Sequence, residues 1–294
     1  MTKTLPRLQR FAANRFSAEG EYGLHLTIGV ALLLAAMAVF AQLAGAVVAG
    51  APITQFDAGI ANWLHLHARQ GGLLRDALLF ITHVHSTPGI LVMAFCAALW
   101  LYRTGHRYWT MAVIASVPGG MLLNVALKHM FERARPHFDE PIVTLTTYSF
   151  PSGHTMAATV LYGVLACYFA RRAHTWPGRV LPFVLAALMI GAVAFSRMYL
   201  GAHYLTDILA ALTEGCGWLA ICIGGTATLN RRRRARERRQ SGATSPQDMY
   251  GLFRCALSFI CPTCTSVAST RPCSARCASS CTASRPTSSS FRAT

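Results

Sequence analysis

The chain has 294 residues, of which 53% are apolar and only 13% charged, and its net charge is +16. A soluble domain carries about twice that charged share, and a protein core cannot hide so large an apolar surplus, so a disordered chain and an ordinary soluble enzyme are both excluded. Seven arginines fall between Arg231 and Arg239 and most other basic residues lie in short stretches between hydrophobic runs. That is the pattern of a chain crossing a bilayer several times, not of a nucleic-acid-binding face.

Residues 1–23 form a basic arm with Lys3, Arg7, Arg10 and Arg15. The first hydrophobic stretch, Leu24 to Val48, contains no Asp, Glu, Lys or Arg and is long enough to cross a membrane. Ala44-Gly45-Ala46 resembles a signal-peptide cleavage site, but the apolar run is too long for a typical signal, so it is read as a retained span. From Ala51 to Ser86 the chain carries Phe56-Asp57 and Trp63-Leu64-His65-Leu66-His67, with some apolar residues at helical intervals. Two readings stay open for it: a helix along the membrane surface, or a connecting loop.

The second run, Ile90 to Tyr102, is the shortest, because His83, His85 and Pro88 interrupt its upstream extension. The third, Tyr108 to Leu127, ends at Lys128; the fourth, His154 to Ala170, stops at Arg171 and Arg172. The fifth is Val180 to Phe195 and the sixth Tyr204 to Leu229. The expected fold is all-α, a six-transmembrane helical bundle over residues 24–230. Residues 231–294 form a tail, polybasic and then rich in Ser, Thr, Cys and Arg, expected to be disordered.

Loop charges set the orientation. With the N-terminus inside, the cytoplasmic segments hold four, two, three and seven Lys/Arg residues. Those outside hold Arg69, Arg75, Lys128, Arg133, Arg135 and Arg197. Both termini are therefore expected in the cytoplasm of a bacterial cell, the chain being multi-pass in the inner (plasma) membrane. Arg231 to Arg239, directly after a span, reads as a topology determinant touching anionic lipid, and no nucleic-acid partner is assigned.

Cys96, Cys167, Cys216 and Cys222 lie in hydrophobic runs as small apolar filler. The other six cysteines, from Cys255 to Cys281, are expected unbridged in a cytoplasmic tail. Cys261-x2-Cys264-x8-Cys273-x3-Cys277 invites a zinc reading, but the spacing is irregular and no histidine follows His203, so no metal is assigned.

Charges at membrane level are costly and mark function. Three polar clusters remain: Lys128 to Arg135-Pro136, Pro151-Ser152-Gly153-His154, and Ser196-Arg197 with His203 and Asp207. The span count puts all three on one side. Lys128, Arg135 and Arg197 are three cations, and arginine forks match phosphate oxygens. Ser152 and Gly153 precede a predicted helix, whose free N–H groups favour an anion. His154 and His203 titrate near neutrality. Asp207, four residues after His203, shares its helix face and can hold one ring nitrogen protonated while the other attacks.

Lys128-x6-Arg135-Pro136, Pro151-Ser152-Gly153-His154 and Ser196-Arg197-x5-His203-x3-Asp207 resemble the three signature motifs of the type 2 phosphatidic acid phosphatase (PAP2) superfamily, in the family's order and with every signature position filled. The resemblance covers roughly residues 20–230. It implies that His203 attacks phosphorus to form a phosphohistidine, that Asp207 orients it, and that His154 protonates the leaving oxygen and then activates water. It also implies that Lys128, Arg135, Ser152, Gly153 and Arg197 bind the phosphoryl oxygens, and that no metal or other cofactor is needed. Arg133 and Glu132, lying between signature positions, receive no role. The expected substrate is a lipid phosphate or diphosphate: undecaprenyl diphosphate first, then phosphatidic acid or phosphatidylglycerophosphate. A phosphotransferase using the same intermediate and a non-catalytic lipid-binding or transport protein are the alternatives.

Overall fold

Residues 24–240 are described by the computed structural model, and all six hydrophobic runs of the sequence are helices in it. In chain order the described residues form α1 (Leu24–Val48), α2 (Pro52–Arg69), α3 (Leu73–Val84), α4 (Thr87–Arg103), α5 (Arg107–Phe131), α6 (Gly153–Arg172), α7 (Trp176–Tyr199) and α8 (Leu205–Gln240). The basic arm and the cysteine-rich tail with its candidate zinc spacing lie outside the described residues. Cys96, Cys167, Cys216 and Cys222 are free thiols.

Five helices are long and apolar enough to cross a membrane: α1 from Gly29, α5, α6, α7, and α8 as far as Arg234. The expected second span differs. α4 has 17 residues, and only together with α3, from which it bends by 60°, does it pass the same test. The break has a local cause. Ser86 is extended (ψ 164°), and Pro88 in the first turn of α4 lacks the N–H needed to continue α3. Ala51 to Ser86, left open between a helix and a loop, is the two helices α2 and α3. α8 continues as helix through the polybasic run, as far as the described residues reach.

α2 is amphipathic. Leu64 and Ala68 pack with Leu78 of α3 and with Tyr199 and Leu200 at the end of α7, while Phe56, Trp63 and Leu66 remain exposed. The largest core joins α4, α5, α6 and α8 through Ile90, Leu101, Val113, Val117, Met156, Leu161, Ala211 and Leu219. α6 is the most enclosed of the spans and α1 the least. The N-terminus of α6 is therefore held by neighbours, which is what a preorganised site requires.

Lipid tails are as apolar as leucine, so close helix approach depends on small residues at the contacts. A Cβ on Gly215 of α8 would lie 2.8 Å from the Thr159 methyl of α6, and one on Gly119 of α5 would lie 2.8 Å from the Trp218 ring. Gly215→Ala should cost about 1–3 kcal/mol by overpacking this crossing. The expected outcome is a lower thermal midpoint for the monodisperse protein in detergent; an unchanged midpoint would show that α6 and α8 are not held this closely.

Candidate active site

The end of α5, the loop after it, the start of α6, the end of α7 and the start of α8 meet around one cavity of about 310 Å³. Lys128, Arg135, Gly153, His154, Arg197 and His203 line it. Asp207 and Ser152, the remaining expected site residues, are fully buried behind the lining.

The spacing between Arg197 and His203 is a helix end followed by a tight reversal. Arg197 occupies the last turn of α7, and its carbonyl accepts the N–H groups of Ala202 (3.0 Å) and His203 (3.3 Å). Gly201 makes the reversal with φ +69°, and a Cβ there would meet the Phe138 ring at 2.7 Å, so only glycine fits without a shift. The Ser196 hydroxyl donates to the Val193 carbonyl (2.7 Å) and pairs with the Thr82 hydroxyl (2.9 Å), tying α7 to α3 beside Arg197.

His203 faces Asp207 Oδ2 through Nδ1 (3.3 Å) and the Arg135 guanidinium through Nε2 (3.2 Å). A carboxylate accepts and a guanidinium donates, so the proton belongs on Nδ1 and the lone pair on Nε2. Burial pushes the His203 pKa down to about 3, the Asp207 carboxylate pulling it only partly back. The ring is therefore neutral at pH 7, the state a nucleophile needs.

The three cations are tethered differently. Lys128 Nζ donates to the Tyr148 carbonyl (2.6 Å). Arg135 donates through Nε to the Thr147 carbonyl (2.6 Å), through Nη1 to the Ala202 carbonyl (2.7 Å), and through Nη2 to the Thr147 hydroxyl (2.8 Å) and Tyr148 carbonyl (3.1 Å). Arg197 is only 1% exposed, yet its Nε and Nη2 have no partner. Leaving donors of a buried charge unpaired is expensive, which singles Arg197 out among the residues lining the cavity as a candidate for contact with an anion.

Gly153 completes that surface. A Cβ there would lie 3.1 Å from Asn124 Oδ1 and 3.9 Å from Lys128 Cε, so the missing side chain lets the backbone come close. Ser152 makes no side-chain cap for α6. Its hydroxyl pairs with Thr155 (3.1 Å) and its N–H donates to the Asp207 carbonyl (3.2 Å), bracing α6 against α8 behind the cavity. Along α4 and α5, directly beyond Ile90 and Met121 of the cavity, runs an apolar groove of about 480 Å³ lined by Leu91, Ala94, Phe95, Val113, Ile114 and Pro118, among others.

A family model described as the PAP2 superfamily matches residues 109–231. Phosphatidylglycerophosphatase B of Bacillus subtilis is 32% identical over 146 residues, spanning 48% of this chain and 70% of that protein. Undecaprenyl-diphosphatase BcrC of Bacillus subtilis is 27% identical over 166 residues, spanning 55% of this chain and 77% of the other. A crystal structure of a transmembrane PAP2-type phosphatidylglycerolphosphate phosphatase from Bacillus subtilis superposes with a TM-score of 0.55 at 27% identity, covering 66% of this chain and 94% of that one. The chain belongs to the PAP2 superfamily. It is a multi-span membrane protein and a phosphatase, a hydrolase of phosphoester bonds.

In this PAP2 protein several contacts lie beyond the signature motifs. Arg133, given no role by spacing, donates to Asp207 and to Asp57, and Ser149 donates its hydroxyl to Asp207. The signal available was scarcity: with only 11 acidic residues in the chain, an aspartate within an apolar helical pattern at position 57 is conspicuous. Glu214, inside α8, accepts from Asn124 Nδ2 (2.8 Å). His85 lines the cavity, but its two nitrogens are occupied by the Ile81 carbonyl (2.8 Å) and the Tyr162 hydroxyl (2.6 Å). The neutral state of His203 is testable by ¹⁵N NMR of histidine-labelled protein in detergent. The Nδ1–H tautomer should persist unchanged from pH 7 to pH 5, whereas a titration midpoint near 6.5 would contradict the burial argument.

Proposed function

We propose that this protein hydrolyses the phosphoryl group of a bilayer-anchored lipid phosphate or diphosphate through a phosphohistidine on His203. The observation that carries the reading is the buried Arg197 guanidinium, two of whose donors are unpaired, on a residue that lines the same cavity as His203. Nε2 attacks phosphorus, the P–O bond to the lipid breaks, and His154, held in its protonated form by the negative charge of the bound phosphate, gives its proton to the departing oxygen. The imidazole becomes cationic, and Asp207 stabilises it through Nδ1–H. His154, now neutral, takes a proton from water as that oxygen attacks phosphorus; the P–N bond breaks, its electron pair returns to Nε2, and phosphate leaves.

Lys128, Arg135, Arg197 and the Gly153 backbone stabilise the equatorial oxygens, Arg135 exchanging its contact with Nε2 for one of them. Three cations supply the charge stabilisation that other phosphatases take from metal ions, so the mechanism assigns no cofactor. Ser152 serves as a brace that keeps Gly153 and Asp207 in register.

The apolar groove between α4 and α5 suits the lipid tail, because it adjoins the cavity along the same two helices. Counting the bent α3–α4 pair as one crossing gives six, with both termini cytoplasmic and the site at the outer face of the inner membrane, in keeping with the loop charges. The names of the relatives point to isoprenoid diphosphates and phosphatidylglycerophosphate as substrates to try first.

The test is phosphate release by the purified protein in detergent from undecaprenyl diphosphate, phosphatidylglycerophosphate and phosphatidic acid. At least one should be hydrolysed, His203→Ala should abolish release, and His154→Ala should slow it by about 10²-fold or more, most for the poorest leaving group. Turnover that depends on an added alcohol acceptor would make the protein a transferase. Substantial release by His203→Ala would remove His203 as nucleophile.

A further inference from the structure

Behind the nucleophile, two buried carboxylates share one guanidinium. Arg133 Nη1 donates to Asp207 Oδ1 (2.6 Å) and to the Thr206 hydroxyl (2.7 Å), and Nη2 donates to Asp57 Oδ2 (2.9 Å). Asp57 and Asp207 are both completely buried, and the Arg133 side chain is 12% exposed. Asp57 also accepts the Thr206 N–H on Oδ1 (3.1 Å) and the Thr206 hydroxyl on Oδ2. The Arg133 guanidinium lies 4.3 Å from the Tyr204 ring centroid. Its direction is set by Glu132, which leaves α5 in a left-handed conformation (φ 46°), and by the Ser149 N–H on the Arg133 carbonyl (2.8 Å).

We infer that Arg133 and Asp57 are positioning residues for catalysis, so that the outer helix α2, which lies outside the residues matched by the family model, is part of the catalytic unit. The inference rests on the reading of His203 as nucleophile and Asp207 as its orienting group. Asp207 Oδ2 already serves His203 Nδ1, the Ser149 hydroxyl and the Tyr204 N–H (2.9 Å). Arg133 on Oδ1 is what stops the carboxylate from rotating away from the imidazole.

Asp57 has a separate effect. A guanidinium devoted to Asp207 alone would cancel the negative field that must stabilise the cationic phosphoimidazole. Divided between two carboxylates, it fixes Asp207 and leaves the cluster net negative. Neither residue lines the cavity, so substrate affinity is set elsewhere.

The experiment uses the full-length protein in detergent with a lipid phosphate that the wild type hydrolyses, and compares Arg133→Ala, Arg133→Lys, Asp57→Asn and His203→Ala. A lost charge-assisted hydrogen bond corresponds to roughly 10–100-fold in rate. Arg133→Ala should therefore lose about that much in kcat, with KM within about threefold of wild type. Millimolar methylguanidinium should recover part of the loss, since a lost guanidinium can be replaced from solution where a misfolded chain cannot be repaired. Arg133→Lys should fall between the wild type and Arg133→Ala, and Asp57→Asn should lower kcat by about 5–10-fold at unchanged KM.

Wild-type kcat in both Arg133→Ala and Asp57→Asn would overturn the inference. So would a loss carried by KM, or a folded Arg133→Ala that methylguanidinium does not revive. Should Arg133→Ala fail to fold, Arg133→Lys and Asp57→Asn decide by the same separation of kcat from KM. An active His203→Ala overturns the nucleophile reading and this inference with it; an inactive His203→Ala beside fully active Arg133 and Asp57 variants overturns this inference alone.

Discussion

A guanidinium buried at the end of a membrane-spanning helix with two of its donors unpaired is among the most expensive groups a protein can hold. Arg197 is such a group, and the surrounding structure is arranged to keep it in place. α7 ends immediately after it, the reversal at Gly201 returns the chain so that His203 faces the same cavity, and Ser196 ties the helix to α3. The other two cations are held by main-chain carbonyls of residues 147, 148 and 202 rather than by carboxylates. A carbonyl orients a cation without neutralising it, so the positive potential remains available to a phosphoryl group.

The carboxylates are kept on the far side of the imidazole. Asp207 and Asp57 lie behind His203 with Arg133 between them, and Glu214 is paired with Asn124. The cavity is thus lined by positive charge in front of the histidine while negative charge stands behind it. In the proposed mechanism the imidazole accepts phosphorus on one nitrogen and becomes cationic, and that polarity serves it on both sides. In the proposed reading a phosphate meets the cations while its tail lies in the apolar groove along the same two helices, α4 and α5.

Much of this was legible in the sequence. Hydrophobic runs locate all six corresponding helices, and for α1 the expected C-terminal limit, Val48, is the one observed. The three polar clusters were legible because charge is rare in such a chain, and the alternation of spans brings them to one end. What escaped has identifiable causes. The bend between α3 and α4 depends on how Ser86 and Pro88 interrupt two segments that composition alone reads as a weak span and a loop. The bond between Asp57 and Arg133 joins residues 76 positions apart, and no local periodicity encodes such a pairing. Ser152, expected as a phosphate contact, pairs its hydroxyl with Thr155, a contact that spacing does not encode. Side-chain direction at a helix start is settled by tertiary neighbours, not by spacing.

The claim on which this account depends is that His203 Nε2 and the three cations address a single phosphorus atom. A structure of the protein bound to orthovanadate tests it most directly. The account predicts vanadium bonded to His203 Nε2, with its equatorial oxygens contacting Lys128, Arg135, Arg197 and the Gly153 N–H. Vanadate bound elsewhere, or held in the cavity by the cations with His203 turned away, would contradict it.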